Sequence, residues 1–155
     1  MITEILVDGD SCPVAIRPVL IRAGSSRRIR VLFLANQPLP LGDHHGMDVV
    51  TERTVDEEIL NRAGSGSLVV TRDIPLAEQL VGRGVAVIND RGRIFQADSI
   101  RELRSLRDAA ADLRRLGLEQ MDRRRTFGAR EVKAFADALD RVLAARNGAN
   151  HDRLS

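Results

Sequence analysis

The stretch Glu4-Ile5-Leu6-Val7-Asp8-Gly9-Asp10-Ser11-Cys12-Pro13 most narrows what this chain can fold into. Ile5, Leu6 and Val7 make a brief aliphatic run bounded by turn residues, the pattern of a strand covered on both faces. Asp8 falls at the carboxyl end of that strand. In open α/β sheets this edge is where ligands bind, because strand ends and the loops that follow form a crevice there. Pro13 suits the first turn of a helix, and Asp10 or Ser11 is placed to cap the free amides before it. The segment therefore reads as strand, acidic turn and helix.

The same alternation continues along the chain. Apolar residues at 16, 19, 20 and 23 mark one face of a first helix, with Gly24 as its stop. Ile29 to Ala35 is a second strand, 36–46 a loop by its prolines and glycines, and Met47 to Val50 a short third strand. Thr54 and Glu57 have the form of a capping box, opening a helix to about Ala63. Leu68 to Thr71 is a fourth buried strand, followed by Asp73, a first-turn proline at 75 and a helix through Leu80. Val85 to Ile88 is the fifth. Asn89-Asp90-Arg91-Gly92 is a turn read as local turn chemistry, and Arg93 to Gln96 returns as a small edge strand. Ser99 and Glu102 open a helix to about Leu116. A last helix, 129–146, places Val132, Phe135, Ala136, Leu139, Val142 and Leu143 on one face. These elements predict a three-layer α/β/α sandwich with a mostly parallel central sheet and extra C-terminal helices, one domain over 1–146 and a flexible polar tail over 147–155.

Composition limits what the acidic turns are for. The 155 residues suffice for one domain with a real core, and 43% are hydrophobic. No apolar run is long enough to span a membrane, and the N-terminus lacks a basic region followed by a signal-type core, so a cytoplasmic protein is expected. Cys12 is the only cysteine, which excludes an internal disulfide and a cysteine zinc cluster. His44, His45 and His151 are not spaced as a zinc site. Residues 1–100 carry 11 basic and 13 acidic side chains, whereas 101–155 carry 13 and 9, so the C-terminal third is basic. Twenty-three of the 24 basic residues are arginine, which suits planar phosphate recognition, although a GC-rich genome gives the same bias.

In a parallel sheet, strands one and four deliver acids to the same edge: Asp8 with Asp10 from the first, Asp73 from the fourth. The helix after Thr54 carries Asp56, Glu57 and Glu58 in its first turn and begins at that edge as well. Carboxylates gathered in this way raise one another's pKa unless a cation sits among them. An oxygen-only donor set favours magnesium or manganese over zinc. Such an ion orients and activates water and neutralises charge on a phosphate, as phosphodiester hydrolysis requires.

Three motifs, Val7-Asp8-Gly9-Asp10-Ser11-Cys12-Pro13, Val55-Asp56-Glu57-Glu58-Ile59-Leu60 and Leu68-Val69-Val70-Thr71-Arg72-Asp73-Ile74-Pro75-Leu76-Ala77, resemble in order and spacing the YaiI/YqxD family of bacterial proteins. That family looks like a branch of the PIN-like nucleases. The resemblance, which reaches to about Leu143, implies an α/β sandwich with an acidic cleft, a divalent cation (Mg2+ or Mn2+) and a ribonuclease-type activity. It implies Asp8, Asp10, Asp56 and Asp73 as catalytic acids, with Asp8, Asp56 and Asp73 as metal ligands and Ser11 and Thr71 as supporting hydroxyls. Arg53, Arg72 and Arg91 are candidate contacts to a substrate phosphate. Arg53 stands where the family usually has another aspartate, and residues 120–125 replace an expected Gly-Gly-Pro stretch.

The leading expectation is thus a metal-dependent phosphodiesterase acting on RNA, drawn by the basic C-terminal segments that include Arg123-Arg124-Arg125. A non-catalytic nucleic-acid or protein-binding module on the same fold is the alternative. With Phe33, Phe95, Phe127 and Phe135 as the only aromatics, base stacking is a poor means for it. An aspartyl-phosphate phosphatase ranks lower, because the one lysine, Lys133, lies in the last helix and the second strand does not end in Ser or Thr. A homo-oligomer is left open by the sequence.

Overall fold

The computed structural model describes residues 1–37, 47–50, 53–115 and 127–154. His44, His45 and Arg123 to Arg125 lie outside the described residues. Five strands, β1 (Glu4–Asp8), β2 (Arg30–Ala35), β3 (Met47–Val50), β4 (Ser67–Val70) and β5 (Ala86–Ile88), form one sheet in the order β3-β2-β1-β4-β5. Every pairing between them is parallel. Five α-helices connect or follow them: α1 (Arg17–Arg27), α2 (Val55–Arg62), α3 (Ile74–Gly82), α4 (Ile100–Arg115) and α5 (Ala129–Leu154).

Alternation along the strands divides the core into two. Ile5, Val7, Val31, Phe33, Leu68 and Val70 face Ile16, Leu20 and Ala23 on one side, together with Phe135, Leu139, Val142 and Leu143 of α5. Leu6, Leu32, Leu34, Val69 and Val87 face the other side, against Val55 and Ile59 of α2, Leu76, Ala77 and Leu80 of α3, and Ile100. Side chains in a strand alternate between faces, so a central strand needs apolar residues at every position once both faces are covered. β1 meets that condition, with Ile5, Leu6 and Val7 all fully buried. The α/β/α sandwich follows.

Several local expectations change. Pro13 opens a short 3-10 turn over Val14–Ile16, and α1 begins only at Arg17 with Pro18 in its first turn. Neither start has a side-chain cap. The Ser11 hydroxyl donates to the Asp8 carbonyl instead, at 3.4 Å. Gly24 is not the stop. The helix continues through it to Arg27, and the left-handed backbone of Arg28 (φ 57°) makes the turn. Gly24 serves close packing, since a Cβ there would stand 2.5 Å from Val31 Cγ2 and 2.8 Å from the Ile29 carbonyl oxygen. The proposed edge strand over Arg93 to Gln96 reduces to one antiparallel bridge, Ile88 with Ile94. Helix α5 runs past its expected end at Arg146 to Leu154. Among the described residues no helix is long and apolar enough to cross a membrane.

Candidate active site at the carboxyl edge of the sheet

From β1 the chain builds outward through β2 to β3, and then crosses over to β4 and β5 on the other side of β1. The connections after β1 and β4 therefore depart in opposite directions. Those two strand ends form the topological switch point, the place where open α/β sheets bind ligands.

Asp8, the last residue of β1, is 8% exposed. Thr71 Oγ1 donates to Asp8 Oδ2 at 3.1 Å and accepts from the Asp73 backbone N–H at 3.1 Å. Asp73 caps α3, its Oδ1 accepting from the Leu76 N–H at 3.0 Å. Asp56 arrives from the other layer. The capping-box expectation holds on its first half, because Thr54 Oγ1 accepts from the Glu57 N–H at 3.2 Å and sets the start of α2. That places Asp56 near enough to Asp73 for the second carboxyl to act on the first. Three segments far apart in sequence thus deliver acids to one edge of the sheet, with Thr71 linking the Asp8 carboxylate to the Asp73 backbone, although the three carboxylates do not close into one group. Asp10 is exposed, and its charge reaches Asp8.

Burial is the largest influence on Asp8 and raises its pKa against the lowering effect of the Thr71 and Ser11 hydrogen bonds; the charges of Asp10 and Asp73 raise it further. Asp56 is pushed up to about 6 by burial, then by its hydrogen bond to Asp73 and by the charges of Asp73 and Asp8. Among the described residues none of the three is ion-paired with an arginine. Asp56 therefore retains its proton to higher pH than an isolated aspartate would.

A pH effect on stability follows. The folded chain binds a proton at Asp56 up to about pH 6, whereas the unfolded chain releases it near the ordinary value of 3.8. The folded state holds more protons in that window, so the Asp56 contribution weakens as pH rises from about 4 through 6. In chelator, the melting temperature of Asp56→Asn should gain on the wild type as pH increases across this range. Parallel melting curves for the two proteins would refute the shifted pair.

A second hollow of about 650 Å³ opens at the ends of β4 and β5, lined by Arg72, Asp90, Arg91, Arg93, Phe95 and Leu103 among others. Arg72 is the residue between Thr71 and Asp73, so the hollow shares a turn with the acids. Its Nε lies 3.5 Å from Asp90 Oδ2. Arg91 lies 3.8 Å from Glu131 and over the Phe127 ring, 5.5 Å from its centroid. Arg53 is elsewhere, exposed on the turn into α2, where its carbonyl accepts from Asn36 Nδ2 at 2.9 Å.

Asp90 is more than turn chemistry. It is 5% exposed, and burial raises its pKa against the nearby charges of Arg72 and Arg91. The turn expectation holds for its neighbour: Asn89 Oδ1 accepts from the N–H groups of Arg91 and Arg93. The missed signal was positional, since Asp90 follows a strand as closely as Asp8 and Asp73 do. Cys12 is buried near these groups, and its thiol is pushed up to about 11, by burial first and then by the charges of Asp90 and Asp8 against that of Arg17. It is therefore a packing residue rather than a nucleophile, because only the thiolate attacks. Among the described residues no three His, Cys, Asp or Glu side chains are grouped to hold a metal ion.

Fold and site define a class: all-parallel α/β/α proteins with a carboxylate cluster at the switch point of the sheet. The chain belongs to the YaiI/YqxD family, whose model, described as "Uncharacterized BCR, YaiI/YqxD family", matches residues 6–145. It is 41% identical over 143 residues to a UPF0178 protein of Treponema denticola, covering 91% of this chain and 92% of that one. A UPF0178 protein of Syntrophobacter fumaroxidans is 37% identical over 147 residues, with 92% and 95% covered. No solved structure matches.

Proposed function

We propose that the chain is a divalent-metal-dependent phosphodiesterase that cleaves RNA in the cytoplasm. The observation that carries this reading is the proximity of Asp56 to Asp73, with the Asp56 carboxyl pushed up to about 6 and, among the described residues, no arginine ion-paired to it. Magnesium is commonly held by one or two carboxylates, the remaining positions going to water and substrate phosphate, so a pair suffices where a trio is not assembled. The donor set fits: hard oxygen ligands, an Asp56 proton that a cation would displace, and a position at the strand ends where the sheet switches direction.

Asp56 and Asp73 would hold the ion, Mg2+ or Mn2+. When bound it supplies an activated water and neutralises charge on the phosphate. The chain's own contribution is orientation. Capping α3 fixes one oxygen of Asp73. Thr71 ties the turn to Asp8, so the carboxylate of Asp73 is aimed before any ligand arrives. Buried Asp8 and exposed Asp10 add acidic groups at the end of β1.

The test is incubation of the purified chain with single-stranded RNA and manganese, beside chelator. Cleavage in manganese and none in chelator is expected. Absence of cleavage across single-stranded, structured and duplex RNA would count against the reading. It would favour a binding module instead, for which the arginine-lined hollow is the supporting observation.

A further inference from the structure

The hollow beside the acids has a composition of its own. Arg72, Arg91 and Arg93 line it, and among the described residues Asp90 is the lining carboxylate. Each guanidinium is held differently. Arg72 pairs with Asp90, and Arg91 is pinned by Glu131 and Phe127. Arg93 is exposed and, among the described residues, makes no side-chain ion pair. The turn that presents these groups is rigid. Asn89 closes it from inside, and Gly92 (φ 89°) lies against α5 so closely that a Cβ would stand 2.5 Å from the Ala134 carbonyl oxygen. Ile74, Phe95 and Leu103 supply an apolar wall.

From this geometry we infer that the hollow is a binding site for the phosphate-terminated end of an RNA strand. An internal phosphodiester carries one negative charge, whereas a terminal monophosphate carries about −1.5 to −2 at neutral pH and three acceptor oxygens. Asp90 and Glu131 each offset one of the three guanidiniums, Arg72 and Arg91, and Arg93 has no ion pair among the described residues, so the forks together present more donors than the two free oxygens of an internal phosphodiester can use and suit the three oxygens of a terminal phosphate. Planar guanidinium forks also suit phosphate oxygens in a way that point charges do not. The apolar wall accommodates the face of the terminal base. Arg72 sits in the same turn as Asp73, so a strand anchored by its end passes directly over the acids. This inference rests on the RNA reading above and names the end of the substrate that the site measures from.

The test is equilibrium binding of fluorescent oligoribonucleotides to the full chain in chelator, where nothing is cleaved. Strands identical except for a 5′-phosphate or 5′-hydroxyl are compared, then strands with a 3′-phosphate or 3′-hydroxyl. One phosphorylated end should bind about tenfold tighter than its hydroxyl counterpart, equivalent to about 1.4 kcal/mol. Inorganic phosphate should compete that advantage away. Arg93→Gln, at an exposed position with no ion pair to lose among the described residues, should remove most of the preference while leaving the hydroxyl strand's affinity within about twofold. Equal binding of phosphorylated and hydroxyl strands overturns the inference, as does a preference that survives in Arg93→Gln and Arg72→Gln alike. Manganese-dependent cleavage without end preference would remove this inference and leave the phosphodiesterase standing. End preference without cleavage would do the reverse.

Discussion

Asp73→Asn is expected to lower manganese-dependent RNA cleavage by on the order of 10²–10³ while leaving the melting temperature nearly unchanged. The rate estimate takes the ion's charge stabilisation as several kcal/mol, with each 1.36 kcal/mol about tenfold. The stability half is what makes the substitution informative. Asp73 accepts the Leu76 N–H as the cap of α3, and asparagine caps a helix about as well as aspartate, so the helix start is kept. Asp56→Asn should lose as much activity, with no loss of stability at neutral pH because it relieves the Asp56–Asp73 repulsion. Thr71→Val should cost less, about 10–100-fold, since it only releases the orientation of Asp8 and Asp73. Cleavage rates and melting curves on the same preparations check all three. A variant at Asp73 with wild-type turnover would remove the acids from the chemistry.

Phe135→Ala has the largest expected effect on stability, a loss of about 3–5 kcal/mol. Phe135 is fully buried between α5 and the sheet, in the cluster with Val7, Phe33 and Val70. Removing the ring leaves a cavity that fixed strands on one side and a long helix on the other cannot collapse. At about 2–4 °C per kcal/mol for a chain of this size, the melting temperature should fall by roughly 10 °C. The damage should extend to the arginine hollow, because the Gly92 turn rests on Ala134 and Phe135 of α5. Denaturant midpoints measure the loss; a shift worth less than about 1 kcal/mol would mean that α5 does not seal this face.

The sheet was legible because its strands are covered on both faces. Ile5-Leu6-Val7 and Leu68-Val69-Val70 have no polar residue to spare, and that pattern admits few alternatives. Asp8 and Asp73 could be placed on one edge for the same reason, since a parallel sheet puts every strand end on one side. Caps and stops were less legible because short side chains serve several purposes. Gly24 permits the close approach of β2 rather than ending α1, and Ser11 bonds the Asp8 carbonyl rather than a helix amide. Both outcomes depend on neighbours supplied by tertiary packing, which local propensity does not contain. Asp90 was undervalued on similar grounds. The turn around it has ordinary turn residues, and its burial beside Arg72 comes from neighbours that the local sequence does not show.

Diffraction from crystals soaked in manganese, collected at the metal's absorption edge, tests the central claim most directly. The account predicts an anomalous peak between the carboxylates of Asp56 and Asp73, with Thr71 still bound to Asp8. Well-ordered crystals in which those two carboxyls keep their contact and the peak is absent, or appears only elsewhere, would contradict it.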